Sequence, residues 1–368
     1  MFEGEIVGRP LAEVDTPALV IDADALERNI ARMAEFFQGK HAKLRPHAKT
    51  HKSPVIAQMQ LAAGAVGITC AKLGEAEVLA AGGVRDILIA NQIVGERKIA
   101  RLVGLARHAN VAVAVDDFAN AAAISEAALA AGSTVRALVE VNIGMNRCGV
   151  EPGAPAVELA QRVASLPGLR FFGLQGYEGH LVTVPEHAER EQRVRAAMAP
   201  LIETRRAIEA AGIPVTAVSG GGTGTFDITS TIDGFDEIQA GSYVFMDASY
   251  GKVEGPGAAF EPALFLWSTI ISRPAPERAV ADIGLKTVTS DHGLPVLAGM
   301  QGAEVLSLSE EHAKLHVEGE ARGLRAGDKV RFQPGHVCTT VNLHDAYVVA
   351  RGGIVEAVWP VAARGRSR

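Results

Sequence analysis

Cysteine is scarce in this chain, and long apolar runs and runs of like charge are absent from its sequence. Three cysteines in 368 residues, Cys70, Cys148 and Cys338, are too few and too widely spaced for a disulfide framework. We expect Cys70 and Cys148 to be core residues. No segment reaches the roughly 18 consecutive apolar residues that a membrane span requires, and the first residues show no basic segment followed by an apolar core. We therefore expect a cytoplasmic protein that does not enter a membrane.

The charge balance argues against a nucleic-acid partner. The formal net charge is -6 at pH 7, whereas nucleic-acid binding depends on clustered Lys and Arg that neutralise phosphates. Apolar residues make up 48% of the chain and charged residues 21%, a composition that can bury one large core or two ordinary ones. A small molecule is the expected partner.

Between residues 43 and 242 the chain alternates short β-prone runs with Ala-rich amphipathic stretches. The eight runs are KLRPHA, GITCAK, DILIAN, VAVAVD, ALVEVN, FFGLQG, VTAVSG and EIQAGS. Helices are predicted between them over residues 74–82, 95–106, 118–131, 155–165 and 186–211. Eight strand–helix units in about 200 residues favour a closed (β/α)8 barrel of the TIM type, with an open doubly wound sheet as the alternative.

After residue 262 the pattern changes to short apolar runs with no long helix between them. An Arg-Gly-Gly sequence between the last two runs predicts a hairpin turn. We therefore predict an α/β fold in three parts. These are residues 1–24, a segment that pairs with the last domain, residues 25–262, the barrel, and residues 263–368, a β-rich domain.

The octapeptide RPHAKTHK, residues 45–52, concentrates basic side chains at the end of the first predicted strand. Lys49 lies at the carboxyl end of that strand, where a barrel gathers its active-site groups. An amine beside other cations has its ammonium form disfavoured and becomes a nucleophile toward a carbonyl. We interpret the other basic residues as the groups that activate Lys49, with a solvated basic loop as the alternative. They are Arg45, His47, His51 and Lys52.

Two segments rich in Gly and hydroxyl groups follow the seventh and eighth predicted strands. They are SGGGTGTF at residues 219–226 and AGSYVF at residues 240–245. Gly amides can form a concave anion site, and barrels often hold a phosphate between the loops after strands seven and eight. A flexible loop is the alternative for either segment alone. A phosphate here, together with the Lys49 amine, indicates pyridoxal phosphate as the cofactor.

A short motif near the carboxyl terminus indicates a metal. His336 and Cys338, in PGHVCTTVNLHD, are two positions apart, so on an extended strand both side chains would point to one face. An imidazole with a thiolate suits zinc more than magnesium or calcium. A buried cysteine beside a surface histidine is the alternative. His344 and Asp345 are further candidates for ligands or for groups that orient the ligands.

Six ordered segments make the chain similar to a known family. They are RPHAKTHK, GMNRCGV, LQGYEG, SGGGTG, QAGSYVFMD and PGHVCTTVNLHD. They resemble segments of the fold-type III pyridoxal-phosphate enzymes of the D-threonine aldolase and D-serine dehydratase family. The similarity extends over nearly the whole chain. It implies an alanine racemase-like barrel that binds the cofactor, a β domain that binds a divalent metal, and a homodimer.

The resemblance also implies roles for individual residues. Lys49 would hold the Schiff base with the cofactor. Arg147 and Tyr177 would line the cofactor, with Arg147 keeping the ring nitrogen unprotonated. His180 is a candidate base, because a histidine that the family pattern has a few residues later is displaced here. The residues that would hold the phosphate are Gly221, Gly222, Thr223, Gly241, Ser242 and Tyr243.

The activity that the resemblance implies is that of a lyase acting on D-3-hydroxy amino acids. His336 and Cys338 would bind the metal, zinc or manganese, with magnesium as a further option. The aldolases commonly have aspartate where Cys338 stands, whereas the dehydratases have cysteine. Because VNLHD and VEAVWPVAARG are aldolase-like, we predict retro-aldol cleavage of a D-threonine or D-3-hydroxyaspartate type of substrate to glycine and an aldehyde.

Three alternatives stay open from the sequence. A D-serine or D-3-hydroxyaspartate dehydratase would use the same residues to give a 2-keto acid and ammonia. A non-catalytic pyridoxal-phosphate carrier would resemble the barrel alone. An alanine racemase would need a second acid–base group, typically a tyrosine of the C-terminal domain, and Tyr347 is the only tyrosine after residue 250.

Overall fold

The protein is described from a computed structural model that covers residues 5–368 and divides into two compact units. The barrel unit comprises residues 33–49, 54–241 and 365–368. The sheet unit comprises the described residues up to Arg32 together with residues 50–53 and 242–364. Across the described range, every helix is too short or too polar to cross a membrane.

Strands and helices alternate through the first two thirds of the chain. The helices are α1 Ala23–Phe37, α2 Pro54–Ala62, α3 Leu73–Ala81, α4 Glu96–Leu105, α5 Phe118–Ala130, α6 Ala154–Ala164, α7 His187–Ala210, α8 Phe226–Thr229, α9 Pro256–Ala259 and α10 Val337–Val341. The strands are β1 Ala18–Asp22, β2 Lys43–Leu44, β3 Ile68–Cys70, β4 Asp86–Gln92, β5 Asn110–Val115, β6 Val135–Glu140, β7 Leu169–Gly176, β8 Ala217–Gly220, β9 Glu237–Ile238, β10 Leu264–Ala275, β11 Arg278–Ala281, β12 Val296–Ala298, β13 Ala303–Leu308, β14 Ala313–Val317, β15 Lys329–Gln333, β16 Ala346–Arg351 and β17 Ile354–Pro360.

Eight parallel strands form the barrel unit, in the order β2-β9-β8-β7-β6-β5-β4-β3. A parallel bridge between His47 and Thr69 and a 2.9 Å hydrogen bond from Val66 N to Leu44 O join the two ends of this sheet. The sheet therefore closes, which confirms the predicted (β/α)8 barrel. The five predicted helices correspond to α3 to α7, each within one residue at both ends. Helix α2, which begins at Pro54, was not predicted, although Pro is favoured in the first turn of a helix.

Charged side chains at the starts of β4, β6 and β9 and just after β2 form a largely buried network in the barrel unit. Arg45 is 3% exposed and donates two hydrogen bonds to Glu237 of β9, at 2.8 and 2.7 Å, and one to Asp86 of β4, at 2.6 Å. Arg136 of β6 also donates to Asp86, at 2.8 Å. Two carboxylates compensate the charge of Arg45, which gives it a structural role in the barrel, and its part in activating Lys49 stays a prediction.

The sheet unit is built from the remaining strands. Its main path runs β13-β14-β11-β10-β1-β16-β17, and β15 pairs with both β10 and β12. Strand β1 lies between β10, which is antiparallel to it, and β16, which is parallel. Leu19, Ile21 and Leu266 are at most 1% exposed and form part of the core of this unit. The domain boundaries expected after residues 24 and 262 stay predictions.

The last two strands form the predicted hairpin. β16 and β17 pair antiparallel, and the two residues between them, Gly352 and Gly353, have φ angles of 56° and 80°. A two-residue turn with both φ angles positive matches the right-handed twist of a hairpin and favours glycine at both positions. Helices after residue 262 have at most five residues, so the prediction of a β-rich carboxyl-terminal region is confirmed.

The buried ion pair predicts a large effect of a small substitution. We expect Glu237→Gln to lower the free energy of unfolding by about 3–5 kcal/mol, because Arg45 then keeps a buried charge that is only partly compensated. Urea unfolding of the purified protein measures this. The control is Glu189→Gln, which removes an exposed pair with Arg193 at 3.0 Å and should cost less than about 1 kcal/mol. Equal effects of the two substitutions would contradict the assignment.

Candidate active site

Tyr177 brings two predicted site residues together in the barrel unit. It follows β7 directly, and Lys49 Nζ lies 5.8 Å from the centroid of its ring. The guanidinium carbon of Arg147, which follows β6, lies 5.6 Å from the same centroid. A Cβ atom on Gly222 would lie 3.5 Å from Tyr177 Cε2. Four predicted cofactor residues are thus neighbours at the carboxyl ends of the barrel strands.

The histidines of the octapeptide accept hydrogen bonds from backbone amides. His47 Nδ1 accepts a 3.4 Å hydrogen bond from the backbone N–H of Lys49. In the sheet unit, His51 Nδ1 accepts one of 3.1 Å from Ser53 N–H. An imidazole nitrogen that accepts a hydrogen bond carries no proton, so these contacts fit neutral rings. These contacts therefore give no support to the charge-crowding hypothesis for the two histidines, and their effect on the Lys49 amine stays a prediction.

A buried carboxylate holds the glycine-rich loop after β8. Glu178 is fully buried and accepts hydrogen bonds from Gly221 N–H at 3.2 Å and from the hydroxyls of Thr225 and Thr229 at 2.7 Å each. Burial raises the pKa of the Glu178 carboxyl, and these hydrogen bonds act against that rise. Gly221 has a φ of 74°, a conformation that favours glycine. Glu178 was missed from the sequence, because its partners are more than 40 residues away.

This loop and the segment after β9 offer backbone donors that fit a phosphate group. Gly224 and Gly241 are buried, and within the described residues their N–H groups donate no hydrogen bond. A buried amide without an acceptor is rare in a folded protein, and phosphate oxygens would supply the acceptor. A Cβ atom on Gly224 would lie 1.7 Å from Val182 O, so only glycine permits this close approach. Thr223, which directly precedes Gly224, is 1% exposed.

Polar groups at the ends of β4, β5 and β6 lie beside the Arg147 segment. Gln92 Nε2 donates to Glu140 Oε2 at 2.5 Å and to Asp116 Oδ2 at 3.1 Å. Burial raises the pKa of the Glu140 carboxyl, and the charge of Asp116 raises it further. Gly149 N–H donates to Asp116 at 3.0 Å. The neighbouring Cys148 is exposed, so its prediction as a core residue is wrong.

The two remaining cysteines differ in environment. Cys70 lies in β3 and is fully buried, as predicted. Cys338 is partly buried in the sheet unit.

His180 is exposed and lies in a turn of the barrel unit. A Cβ atom on Gly144 would lie 3.4 Å from His180 Nε2, and Gly144 has a φ of 107°. Partial burial of the ring, together with the charge of Arg193, lowers the pKa of His180. The neutral imidazole, which is the form that accepts a proton, therefore predominates at pH 7.

His336 and Cys338 lie at the start of a helix, and the prediction that they lie on a strand is wrong. Strand β15 ends at Gln333, His336 is the N-cap of α10, and Cys338 is the second residue of that helix. The chain turns here because His336 keeps an extended backbone, with φ -141° and ψ 130°, and the following residues become helical. The two side chains nevertheless interact, because Cys338 raises the pKa of His336.

A buried aspartate orients His336. Asp247, which is fully buried, lies 3.0 Å from His336 Nδ1 and also accepts hydrogen bonds from Val337 N–H and Tyr250 N–H. Burial alone would lower the pKa of His336, but the hydrogen bonds to Asp247 and Cys338 outweigh it and raise this pKa to about 10. The bond at Nδ1 leaves Nε2 as the nitrogen that is able to bind a metal.

Further groups surround this pair within the sheet unit. The Cys338 sulfur lies 3.3 Å from Thr50 Oγ1 and 3.7 Å from Ser242 Oγ. A carboxylate-oriented imidazole and a thiol form a donor set that suits zinc and related divalent metals, so the residues present fit a metal. Ser242 begins a 3-10 helix, Ser242–Val244. Tyr243 in that helix is fully buried and packs against Phe260.

Two residues near His336 were not found from the sequence. Ligand atoms of Asp291, His292 and His336 all lie within 4.8 Å of one another. His344 and Asp345, which the sequence suggested as ligands or orienting groups, have other partners. His344 Nε2 donates to Thr287 O at 2.7 Å, and Asp345 pairs with Arg364 at 2.8 Å. No short motif joins residues 291 and 292 to 336, so only the folded chain shows this group.

Comparisons with known proteins agree with this geometry. The model of the alanine racemase N-terminal domain matches residues 21–249, and that of a serine dehydratase domain matches residues 263–350. The chain is 42% identical to a D-threonine aldolase of an Arthrobacter species, over 98% of this chain and 96% of that protein. This chain belongs to the D-threonine aldolase and D-serine dehydratase family. Members of this family are pyridoxal-phosphate-dependent lyases.

Other members of the family match over a similar extent. A 3-hydroxy-D-aspartate aldolase of Paracoccus denitrificans (strain Pd 1222) is 40% identical, over 98% of this chain and 94% of that protein. A D-threo-3-hydroxyaspartate dehydratase of Delftia sp. (strain HT23) is 33% identical, over 94% and 97%. Because these matches include the β-rich region, the carrier alternative, which would resemble the barrel alone, loses its support.

Solved structures of the family match the fold. The crystal structure of D-threonine aldolase from Filomicrobium marinum has a TM-score of 0.95 and 44% identity, over 98% of both chains. A mutant of a D-threo-3-hydroxyaspartate dehydratase, solved in a metal-free form, has a TM-score of 0.84 and 28% identity, over 95% of this chain and 98% of that one. The predicted alanine racemase-like fold is confirmed.

The environment of Tyr347 argues against racemase chemistry. Its side chain is fully buried, and its hydroxyl donates a 2.6 Å hydrogen bond to His51 O. Burial raises the pKa of this phenol well above its usual value. A group that exchanges protons with a substrate must reach it and must ionise near the working pH, and Tyr347 meets neither condition.

A conservative substitution tests the role of Tyr347. We expect Tyr347→Phe to lower the free energy of unfolding by about 1–3 kcal/mol, because the buried carbonyl of His51 loses its donor. Turnover of the family's substrates should stay within about twofold of the unchanged protein. Thermal unfolding and steady-state assays measure the two effects. A variant that is fully stable and inactive would make Tyr347 an acid–base group after all.

Proposed function

We propose that this protein is a pyridoxal-phosphate- and metal-dependent aldolase that cleaves D-3-hydroxy amino acids to glycine and an aldehyde. The substrate is of the D-threonine or D-3-hydroxyaspartate type. The observation that carries the proposal is the identity of 42% and 40% to two aldolases over 98% of this chain, against 33% to a dehydratase. The neighbouring Lys49, Tyr177 and Arg147 support it.

The barrel unit would hold most of the cofactor. Lys49 would bind it covalently through its amine, with Tyr177 and Arg147 beside it. The buried amides of Gly224 and Gly241 would donate to its phosphate, and the family pattern adds Gly221, Gly222, Thr223, Ser242 and Tyr243. When bound, pyridoxal phosphate supplies a place for the electron pair that is left on Cα when the Cα–Cβ bond breaks.

The metal would be held by His336 Nε2 and the Cys338 thiolate. Asp247 keeps His336 in the orientation and tautomer that leave Nε2 available. A divalent metal would supply a Lewis acid for the 3-hydroxyl of the substrate. The donor set favours zinc, and we retain manganese and magnesium as further options. In domain terms, residues 25–262 would bind the cofactor and residues 263–368 the metal.

His180 is the residue proposed to take the hydroxyl proton. Loss of that proton starts the cleavage, because the oxygen then forms the carbonyl of the aldehyde as the Cα–Cβ bond breaks. The lowered pKa of His180 supports this role, since the ring is neutral at pH 7. Because the His180 side chain is exposed, a substrate would be able to reach it. We propose in addition that the protein is cytoplasmic and a homodimer, as the family pattern implies.

A D-serine or D-3-hydroxyaspartate dehydratase is the second candidate function. Cys338 favours it, because the cysteine is typical of the dehydratases, whereas the aldolases commonly have aspartate at this position. In this case Lys49 would remove the Cα proton, and the 3-hydroxyl would leave as water. The products would be a 2-keto acid and ammonia.

Product analysis with D-threonine separates the two functions. We expect glycine and acetaldehyde in equal amounts, because the proposed reaction breaks the Cα–Cβ bond, and no 2-oxobutanoate. Lys49→Ala should abolish both turnover and the yellow colour of the bound cofactor, since no other amine is proposed to hold it. Mass spectrometry and absorbance measure these outcomes. The matched control is Lys98→Ala, at an exposed position of α4, which should leave both unchanged.

Three results would contradict the proposal. 2-Oxobutanoate with ammonia from D-threonine would establish the dehydratase instead. No product from D-threonine, D-serine or D-3-hydroxyaspartate would reject both functions. Full turnover by the Lys49→Ala protein would reject the role of that amine.

The glycine-rich loop allows a test with a close control. We expect Gly224→Ala to raise the dissociation constant of pyridoxal phosphate by about tenfold or more, equal to about 1.4 kcal/mol, because the new Cβ atom collides with Val182 O and moves the loop. Titration of the apoprotein, followed by absorbance, measures this constant. Gly104→Ala, in α4, has open space around the new Cβ atom and should bind as the unchanged protein does. Equal binding by both variants would remove Gly224 from the phosphate site.

A further inference from the structure

The loop that carries His292 is fastened to the segment that carries His336. Thr289 Oγ1 lies 2.8 Å from Thr339 Oγ1, and the Thr339 hydroxyl is within 3.0 and 3.1 Å of both carboxylate oxygens of Asp291. Thr289 N–H donates to Thr340 Oγ1 at 3.3 Å. These bonds belong to the sheet unit, and they fix the place of Asp291 relative to α10.

Backbone contacts hold the other side of the loop. Ser249 Oγ lies 2.9 Å from both His292 O and Gly335 O. A Cβ atom on Gly335 would lie 2.2 Å from Gly293 O, so the two segments pack backbone against backbone. The position of the His292 backbone next to the His336 segment is therefore built into the unit.

The side chains of this group converge. The rings of His292 and His336 have centroids 4.5 Å apart and an interplanar angle of 36°, and the ligand atoms of Asp291, His292 and His336 are mutually within 4.8 Å. Asp247 occupies Nδ1 of His336, so the nitrogen that remains for a metal is Nε2. Two imidazoles and a carboxylate at this spacing are a donor set that binds zinc and manganese.

His336 and Cys338 alone would give a catalytic metal only two protein ligands. Catalytic zinc sites commonly have three protein ligands and one position open to water or substrate. We infer that His292 is a third protein ligand of the metal held by His336 and Cys338, and that the Asp291 carboxylate adds negative charge beside the metal. The inference rests on the proposed metal dependence and adds residues to it that the short motif does not contain.

Metal affinity is the property that the inference predicts to change. We expect His292→Ala to weaken Zn²⁺ binding by about 10–100-fold, measured by competition with a fluorescent chelator on the purified holoprotein. His312→Ala is the matched control, because His312 is an exposed histidine of the same unit, between β13 and β14, and it should leave the affinity unchanged. His292→Asp restores a ligand atom and should recover part of the lost affinity.

Co²⁺ substitution gives a second readout that is independent of turnover. A Cys338 thiolate bound to Co²⁺ gives a charge-transfer band, and the visible bands report the coordination geometry. In the His292→Ala protein the thiolate band should remain while the visible bands change, because water replaces one nitrogen ligand. A variant that merely unfolds would lose both the thiolate band and the visible bands. Thermal unfolding of the same samples identifies an unfolded variant, and the His292→Asp protein is then used for the test instead.

The results separate the inference from the proposed function. If His292→Ala keeps the Zn²⁺ affinity and the Co²⁺ spectrum of the unchanged protein while His336→Ala loses the metal, His292 is not a ligand, and the proposed metal site stands. If His336→Ala and Cys338→Ala also keep the metal, the proposed metal site itself is rejected. Loss in His292→Ala with recovery in His292→Asp supports the third ligand.

Discussion

The buried ion pair between Arg45 and Glu237 is the interaction on which the barrel sector around Lys49 depends. Strand β2 has two residues only, so few ladder hydrogen bonds hold it. Arg45 comes next and enters the barrel interior, where it binds carboxylates of β9 and β4. From there the chain runs beside β9 and β3, with His47 N–H bonded to Ala240 O at 3.2 Å and Ala48 N–H to Thr69 O at 2.8 Å. Lys49 is the next residue.

This arrangement explains the concentration of basic residues in RPHAKTHK without assigning one task to all of them. Arg45 is a structural cation of the interior, His47 is an acceptor for the amide of Lys49, and Lys49 itself lies near Tyr177. Buried charges are costly when they are unpaired, so Arg45 cannot be exchanged independently of Glu237 and Asp86. Arg45, His47 and Lys49 of RPHAKTHK therefore have separate partners, although the motif looks like one cluster of charge.

The sequence was sufficient for most of the fold and for part of the site, for a physical reason. Barrel strands are buried on both faces and read as short apolar runs, and their helices repeat apolar residues every three to four positions, so both periods are local signals. Partners that are distant along the chain leave no such signal: Glu237 is 192 residues from Arg45. His336 and Cys338 were placed on a strand because a spacing of two fits one, whereas the chain turns into α10 at His336. Asp247 and His292 became visible only through the folded contacts.

Glu178 shows a consequence for how this protein is able to change over evolutionary time. Its carboxylate is shared by one backbone amide and two threonine hydroxyls, all buried. Loss of the Thr225 hydroxyl would leave Gly222 N–H without its acceptor, and loss of Glu178 would leave three buried donors without theirs. A replacement of Glu178 is therefore costly unless the loop that supplies its three donors changes with it.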